Sequence, residues 1–201
     1  MTDERGQRRI RSDGQATRRR LLDAAAREFA DHGIAGARVD RIAEQARANK
    51  SQLYSHFPSK EALFDAVLAE HVDALTDTAP LTPHDLPGYA VRLYDAYLAD
   101  PALVRLATWN RLERRPTGAL FPGSHDSTKI AALVERQADA TLTPDIDAED
   151  IHSMVIAMAM TWSAASITTT GTASEGQQIH HRRRSSLREA VRRAFVDRPD
   201  V

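Results

Sequence analysis

The stretch "IAEQARANKSQLYSHFPSKEALF", Ile42–Phe64, places two short helical patterns on either side of a polar turn. Apolar residues recur at helical spacing before the turn (Ile42, Ala43 and Ala46) and after it (Leu53 and Phe57). Pro58 ends the second pattern. Two short helices joined by a tight turn have the proportions of a helix-turn-helix.

A third helical pattern precedes this pair, with Thr17 as its expected N-cap and Gly33 as its expected end. Residues 1–14 show no periodicity and predict a flexible basic arm. We therefore expect an arm over 1–14, a three-helix domain that contains the helix-turn-helix over 15–61, and a larger helical domain over 62–201. No stretch alternates with a period of two, so the predicted fold is all-α, with a larger C-terminal helical bundle and about nine helices in total.

Charge is distributed unevenly along the chain. The net charge is −1, but residues 1–60 carry 13 basic and 8 acidic side chains. A basic N-terminal part on an acidic remainder is typical of a protein that binds a polyanion. The arginines of the arm (Arg5, Arg8, Arg9 and Arg11) either follow a DNA groove or form a solvated tail.

The second helix of a helix-turn-helix enters the major groove of DNA. Its spacing turns six polar residues outward, opposite Leu53 and Phe57: Asn49, Lys50, Ser51, Gln52, Ser55 and His56. Amide side chains read base edges, whereas Lys and Ser hold phosphates. The alternative is the ordinary polar outside of a small helical hairpin.

The stretch Ile42–Phe64 resembles the signature of the TetR family of transcriptional regulators. The residues in register include Ile42, Ala43, Ala46, Leu53, Tyr54, His56, Phe57, Ser59, Lys60, Glu61 and Leu63. The similarity covers about residues 17–64. It implies that Tyr54 and His56 lie against the DNA backbone and that Lys60 meets a phosphate. For His56, a packing role is an equal alternative.

The sequence departs from the family pattern at the turn and at the start of the second helix. Arg47 stands where the family usually has Gly, which predicts a non-glycine residue in a conformation that favours glycine. Ala37 and Arg38 replace a common hydroxyl pair, so the second helix loses its hydroxyl cap. We expect Arg38 to contact a phosphate instead.

The resemblance also implies a pocket and a dimer seam in the C-terminal part. Large aromatic residues there are candidates to line an apolar pocket, although core packing is the alternative for each: Tyr94, Tyr97, Trp109 and Trp162. The seam is expected on helices predicted at Asp147–Thr170 and Arg183–Phe195, with Met154, Met158, Ala165, Leu187, Val191 and Phe195 at the interface. The expected effector is a lipophilic or aromatic small molecule.

No enzyme is expected, because the sequence contains no cysteine and no recognisable catalytic or phosphate-binding motif. No metal ligand set and no cofactor site are predicted. The Arg-rich start lacks the pattern of a signal peptide, and the longest apolar stretch, Met154–Ile167, is too short to span a bilayer. We therefore expect a cytoplasmic protein with no membrane partner.

Together these features predict a ligand-responsive, homodimeric transcriptional regulator. On this interpretation it represses a palindromic operator and is released from double-stranded DNA by a small molecule. The alternative is a helical small-molecule-binding protein or enzyme with a vestigial DNA-binding domain.

Overall fold

The protein is all-α in its computed structural model, which describes residues 3–116 and 126–196. Nine α-helices lie in these ranges: α1 (Asp3–Gly36), α2 (Val39–Gln45), α3 (Lys50–His56), α4 (Lys60–Thr78), α5 (Leu86–Ala99), α6 (Pro101–Arg114), α7 (Asp126–Ala138), α8 (Ala148–Ala159) and α9 (Gln177–Phe195). Short 3₁₀ turns at Pro83–Asp85 and Met160–Trp162 precede α5 and follow α8. The predicted fold class and helix number are confirmed. Within the described ranges, no helix is long and apolar enough to cross a membrane.

The described residues divide into two compact units. The first unit comprises residues 3–72 and 105–116, and the second comprises 73–104 and 126–196. Helices α4 and α6 each contribute to both units.

The first unit has its own apolar core. Its fully buried side chains come from α1, α2, α3 and α4, and include Leu21, Phe29, Ile42, Leu53, Leu63 and Phe64. Phe29 and Phe64 meet edge to face, with ring centroids 5.2 Å apart. Short helices such as α2 and α3 depend on this shared core, because seven residues are too few to form a stable helix alone.

Helix α1 begins at Asp3, earlier than the sequence predicted. The backbone of residues 3–14 is helical, where an irregular arm was expected. The groove contact considered for Arg5, Arg8, Arg9 and Arg11 concerns side chains that lie outside the described part of the structure. Thr17 lies inside the helix and donates its hydroxyl to the carbonyl of Asp13 at 2.9 Å, so it is not an N-cap. Local sequence cannot distinguish these two roles of a threonine, because both use the same hydroxyl.

Gly33 marks a sharp break in α1, as its predicted role in ending the helix requires. Its φ of 70° is favourable only for glycine. A Cβ there would overlap with Glu113 Oε1 and would lie 2.9 Å from the Trp109 ring. Both backbone freedom and the close approach of α6 therefore require glycine at this position.

The second unit packs α5 against α8 and α9. Buried side chains of α5 include Leu86, Tyr89, Leu93 and Tyr94, and those of α9 include Leu187, Val191 and Phe195. Helix α8 ends at Ala159, well before the predicted Thr170, and its C-cap is Met160. Ala165 therefore lies in an irregular segment rather than on a helix.

The turn between α2 and α3 has the geometry that closes a helix with a left-handed residue. The N–H of Ala48 donates to the carbonyl of Ala43 at 2.9 Å, and that of Arg47 donates to Glu44 at 3.0 Å. Arg47 occupies the left-handed position with φ 52°, which confirms the conformation predicted for this turn.

Replacing Arg47 by Gly is expected to raise the free energy of unfolding by about 0.5–1 kcal/mol. The left-handed conformation costs a non-glycine residue about 1–2 kcal/mol, and the greater freedom of glycine in the unfolded chain offsets part of the gain. The midpoint of urea unfolding measures the change. As a control, Arg182→Gly in the exposed interior of α9 should lower the stability by about 1 kcal/mol. An Arg47→Gly protein no more stable than the wild type would contradict this explanation of the turn.

Candidate nucleic-acid interface

Glu28 of α1 is a buried carboxylate that holds the start of α2. Only 3% of the residue is exposed. Its Oε1 accepts a hydrogen bond from the backbone N–H of Arg38 at 2.8 Å and from Nη2 of Arg41 at 2.6 Å. Arg38 is the N-cap residue of α2, but its side chain makes no capping hydrogen bond. Glu28 therefore supplies, from another helix, the acceptor that a hydroxyl cap would normally provide.

The environment of Glu28 keeps it ionised. Burial alone would raise its pKa, but the hydrogen bonds from the Arg41 guanidinium and the Arg38 backbone outweigh this effect and hold the pKa below its usual value. A charged carboxylate thus remains in place to orient α2.

Helix α3 begins with a reciprocal capping box. The Oδ1 atom of Asn49 accepts a hydrogen bond from the backbone N–H of Gln52 at 2.8 Å. In return, Oε1 of Gln52 accepts one from the backbone N–H of Asn49 at 3.0 Å. Both amide oxygens are thereby turned toward the helix backbone.

The outer surface of α3 carries the side chains that the sequence assigned to DNA. The exposed residues are Asn49, Lys50, Ser51, Gln52, Tyr54 and Ser55, and His56 is half-buried. Leu53 and Phe57 are buried beneath them, as predicted. Tyr54 is 47% exposed, so a large part of the residue is open to solvent. Arg38 is also exposed, at the start of α2.

The two lysines of this region already have partners. Lys50 Nζ lies 2.7 Å from Asp40 Oδ1, and this hydrogen bond raises the pKa of Lys50. Because both side chains are well exposed, a phosphate can replace the carboxylate at little cost. Lys60 Nζ donates to the carbonyls of Ala35 and Ala37, each at 3.3 Å. The phosphate contact expected for Lys60 stays a prediction. The ammonium group of Lys60 has three N–H donors, and one of them remains for a phosphate.

Helix α6 secures the break in α1 from both sides. The carboxylate of Glu113 accepts hydrogen bonds from the backbone N–H groups of Ile34 at 3.0 Å and Ala35 at 2.7 Å. Arg105 Nε at 2.8 Å and Trp109 Nε1 at 3.2 Å donate to the carbonyl of Ala30 on the other side. The backbone groups that Gly33 leaves unpaired thus find partners on one face of α6.

Trp109 has a structural role in the first unit. It lies in the first unit, where its indole N–H is a structural donor to α1. The sequence grouped it with Tyr94 and Trp162 because all three are large aromatic residues of the C-terminal part, but α6 carries Trp109 into the first unit. The ligand contact expected for Trp109 stays a prediction.

Tyr94 and Trp162 do lie together in the second unit. Their rings meet edge to face, with centroids 5.7 Å apart. The hydroxyl of buried Tyr94 lies 2.8 Å from His180 Nδ1, and Arg183 stacks over Trp162 at 5.5 Å. Tyr97 is buried on α5 as well, and burial raises the pKa of its hydroxyl.

These contacts do not test the aromatic-lined cavity that the sequence predicted. A surface depression of about 530 Å³ lies elsewhere in the second unit, between α7 and the start of α8. Its lining is Ile130, Val134, Gln137, Asp147, Ala148, Glu149 and Asp150, without any of the four aromatic residues. The apolar effector pocket stays a prediction.

Three of the residues predicted at the dimer seam are core residues of their own chain. Leu187, Val191 and Phe195 are 3%, 0% and 1% exposed, so no surface remains on them for a partner. The helical stripe was recognised correctly, but α5 covers it. Met154 is 43% exposed and Met158 is half-buried, so both still offer apolar surface.

Comparison with known proteins gives two family matches. Residues 21–67 match the model of bacterial regulatory proteins of the tetR family, and residues 85–193 match the tetracyclin repressor-like C-terminal domain. The second match alone covers more than half of the chain. The first contains α2 and α3 with the interface described above.

Individual relatives agree with these matches. HTH-type transcriptional repressor SCO4008 of Streptomyces coelicolor is 39% identical over 150 residues, which are 73% of this chain and 78% of that protein. HTH-type transcriptional activator FasR of Mycolicibacterium smegmatis is 34% identical over 116 residues, 45% of this chain and 53% of that protein.

Solved structures extend the similarity to the fold. SCO4942 of Streptomyces coelicolor superposes with a TM-score of 0.75 at 40% identity, covering 89% of this chain and 98% of that one. GusR of Salmonella enterica shares the fold, with a TM-score of 0.67 at 22% identity over 88% of this chain and 93% of that one.

Replacing Glu28 by Gln is expected to destabilise the protein by about 2 kcal/mol at pH 7, because Arg41 loses its charged partner. The pKa of Glu28 is lowered in the folded state, so its contribution is complete above the unfolded pKa and is lost as the pH falls through the folded pKa. The stability difference between wild type and variant should therefore shrink below about pH 4.5.

Urea unfolding of both proteins between pH 7 and pH 3 measures this difference. Glu44→Gln serves as the control, since Glu44 is exposed on α2 and should change the stability by less than about 0.5 kcal/mol. A difference between wild type and Glu28→Gln that stays constant over this pH range would show that ionised Glu28 does not hold α2.

Proposed function

The chain belongs to the TetR family of bacterial transcriptional regulators, and on that premise we propose that it is a homodimeric repressor of a palindromic operator. Helix α3 of each subunit enters one half-site. A small molecule that binds the second unit in the DNA-free state releases the operator by shifting the population away from the DNA-binding form. The site of action is the cytoplasm, where the operator lies.

One observation carries the DNA-binding part of the proposal: α3 has a mostly polar outer surface opposite a buried inner face. Asn49, Ser51, Gln52 and Ser55 are exposed, while Leu53 is fully buried. The buried residues and the cap bonds hold the backbone, so the outer side chains can meet DNA without disturbing the fold. The excess of basic over acidic residues in positions 1–60 adds attraction to the phosphates.

We infer the direction of regulation from the relative that matches the larger share of this chain. SCO4008, which is named a repressor, matches 73% of this chain, whereas FasR, which is named an activator, matches 45%. We therefore propose repression, in which a dimer on the operator blocks transcription until the effector arrives.

The dimer seam is proposed on the flanks of α8 and α9 that remain exposed. Met154 and Met158 lie one helical turn apart on α8, and Ala190 and Ala194 lie one turn apart on α9. Two apolar flanks of this kind are complementary to their own copy in a two-fold interface. They replace the buried stripe that the sequence alone assigned to the seam.

The effector is proposed to be lipophilic or aromatic, and neutral or weakly anionic. Tyr94, Tyr97 and Trp162 provide apolar surface with hydrogen-bonding groups at its edge. Two carboxylates of this unit are already neutralised, because Arg184 lies 2.8 Å from Asp95 and Arg183 lies 2.5 Å from Glu175. A cationic ligand would therefore find no unpaired negative charge at these two positions.

Replacing Arg38 by Ala is expected to weaken binding to all DNA sequences about equally. The exposed guanidinium would be lost as a phosphate contact, whereas the backbone hydrogen bond to Glu28 remains. The slope of log K against log salt should become shallower by about 1. Fluorescence anisotropy over a salt series, on duplex DNA from the upstream region of the protein's own gene, measures it.

Arg182→Ala is the matched control, since it removes an exposed arginine of α9 in the second unit. Its slope should equal that of the wild type. A wild-type protein whose binding does not depend on salt, or an Arg38→Ala protein with an unchanged slope, would contradict the proposed docking.

Replacing Met154 by Glu is expected to dissociate the dimer and leave the helices intact, because a charge would be buried in the seam without a partner. Light scattering after size-exclusion chromatography measures the mass, and circular dichroism measures the helix content. Val191→Glu should instead lose helix content, since Val191 is a core residue. A monomeric wild type, or a Met154→Glu protein that stays dimeric, would rule out this seam.

A further inference from the structure

A buried cluster of polar and aromatic side chains joins α5, α9 and the turn that follows α8. Tyr94 is 1% exposed, His180 is 7% exposed and Arg183 is 5% exposed. The hydroxyl of Tyr94 lies 2.8 Å from Nδ1 of His180, and the guanidinium of Arg183 lies over the Trp162 ring, 5.5 Å from its centroid. His180 and Arg183 are one turn apart on α9, so their side chains share one face of that helix.

Each of these two α9 residues has a buried nitrogen atom that makes no hydrogen bond. Among the described residues, Nε of Arg183 and Nε2 of His180 find no partner. A buried polar group without a partner lowers stability, so each such group in a native structure calls for an explanation. Trp162 is only half-buried, so the cluster is open to a small molecule at this ring.

Both unpaired nitrogen atoms are hydrogen-bond donors. Nε of an arginine always carries a hydrogen. The pKa of Arg183 is raised, first by its hydrogen bond to Glu175 and, as a smaller effect, by one to Tyr94. Because a guanidinium only donates, the hydroxyl hydrogen of Tyr94 points to Nδ1 of His180, which leaves an N–H on Nε2. The two nitrogen atoms therefore require an acceptor.

The charge of Arg183 is already balanced by Glu175. Nη1 of Arg183 lies 2.5 Å from Oε2 of Glu175, and Nη2 lies 3.1 Å from Oε1, which makes a forked pair. A second anion at Arg183 would be repelled by the carboxylate of Glu175, and a cation would be repelled by the guanidinium. The ligand that fits is therefore neutral and supplies an acceptor.

We propose that Nε of Arg183 and Nε2 of His180 bind the carbonyl oxygen of a neutral aromatic effector. A carbonyl oxygen has two lone pairs and can accept from both donors. The aromatic part of the effector lies against the Trp162 ring, and Glu175 keeps the site selective for uncharged molecules. The inference rests on the proposed function, since it names the chemical class of the effector.

Acetophenone and α-methylstyrene compare a carbonyl group with a hydrocarbon group of the same shape. Only acetophenone accepts from the two N–H groups, so we expect it to bind the wild-type protein about tenfold more tightly. Benzoate has the same ring with an anionic group, and we expect it to bind more weakly than acetophenone. Ligand-observed NMR titrations of the full-length protein measure the three dissociation constants.

The variant Glu175→Gln tests the selection against anions. It removes the negative charge and keeps an amide oxygen that accepts from Arg183. Benzoate should then bind about tenfold more tightly, because the guanidinium no longer has an anionic partner, whereas acetophenone should change by less than about twofold. Glu189→Gln is the matched control, since Glu189 forms a forked pair with Arg192 farther along α9. Its three dissociation constants should equal those of the wild type.

The variant His180→Phe tests the second donor. It keeps an aromatic ring and removes the N–H of Nε2, so acetophenone should lose about threefold or more of its affinity while α-methylstyrene keeps its own. Circular dichroism measures whether the helices are retained. Glu175→Gln, at a partly exposed position, tests the charge selection independently of this variant.

The outcomes are distinct. A preference for acetophenone in the wild type, with a gain for benzoate only in Glu175→Gln, supports the inference. Equal binding of acetophenone and α-methylstyrene, tighter binding of benzoate by the wild type, or the same gain in Glu189→Gln overturns it. DNA binding is measured separately, without these compounds. A protein that binds DNA without these ligand preferences overturns the inference alone, whereas one with the preferences that binds no DNA supports the carbonyl site and overturns the proposed function.

Discussion

The interface on α3 depends on one buried carboxylate, that of Glu28. Helix α2 is only seven residues long and carries no side-chain cap of its own, so its direction has to be fixed from outside. Glu28 does this by accepting from the backbone of Arg38 and from the guanidinium of Arg41. Since α3 follows α2 after a short turn, the direction of α2 also sets the direction of α3.

The break at Gly33, which lies between Glu28 and Arg38 along the chain, has a comparable role. Glu113 caps the backbone N–H groups after the break, and Arg105 and Trp109 bind the carbonyl before it. Each contact comes from α6, at intervals of one helical turn. The first unit is thus a bundle whose N-terminal helices are completed by a later helix, so a chain truncated after α4 would lose these caps.

Sequence periodicity predicted the helices and the inner face of α3, because both depend on local spacing. Glu28 and Glu113 escaped prediction because a glutamate on a helix usually faces water. The missing hydroxyl cap at Arg38 showed that α2 needs an acceptor from elsewhere, but it did not identify Glu28 as that acceptor. An apolar stripe shows that a helix face is covered, but not whether its own chain covers it, so Val191 was assigned to the seam and proved to be core. No local pattern reveals that α6 places Trp109 in the first unit, where its indole N–H donates to α1.

In the proposed complex, two copies of α3 bind one duplex in successive turns of its major groove. Hydroxyl-radical footprinting of the wild-type protein on its selected duplex tests this most directly. We expect two protected regions on each strand, with centres separated by about 10 base pairs or a multiple of that distance. A single protected region, or uniform protection along the duplex, would contradict the claim.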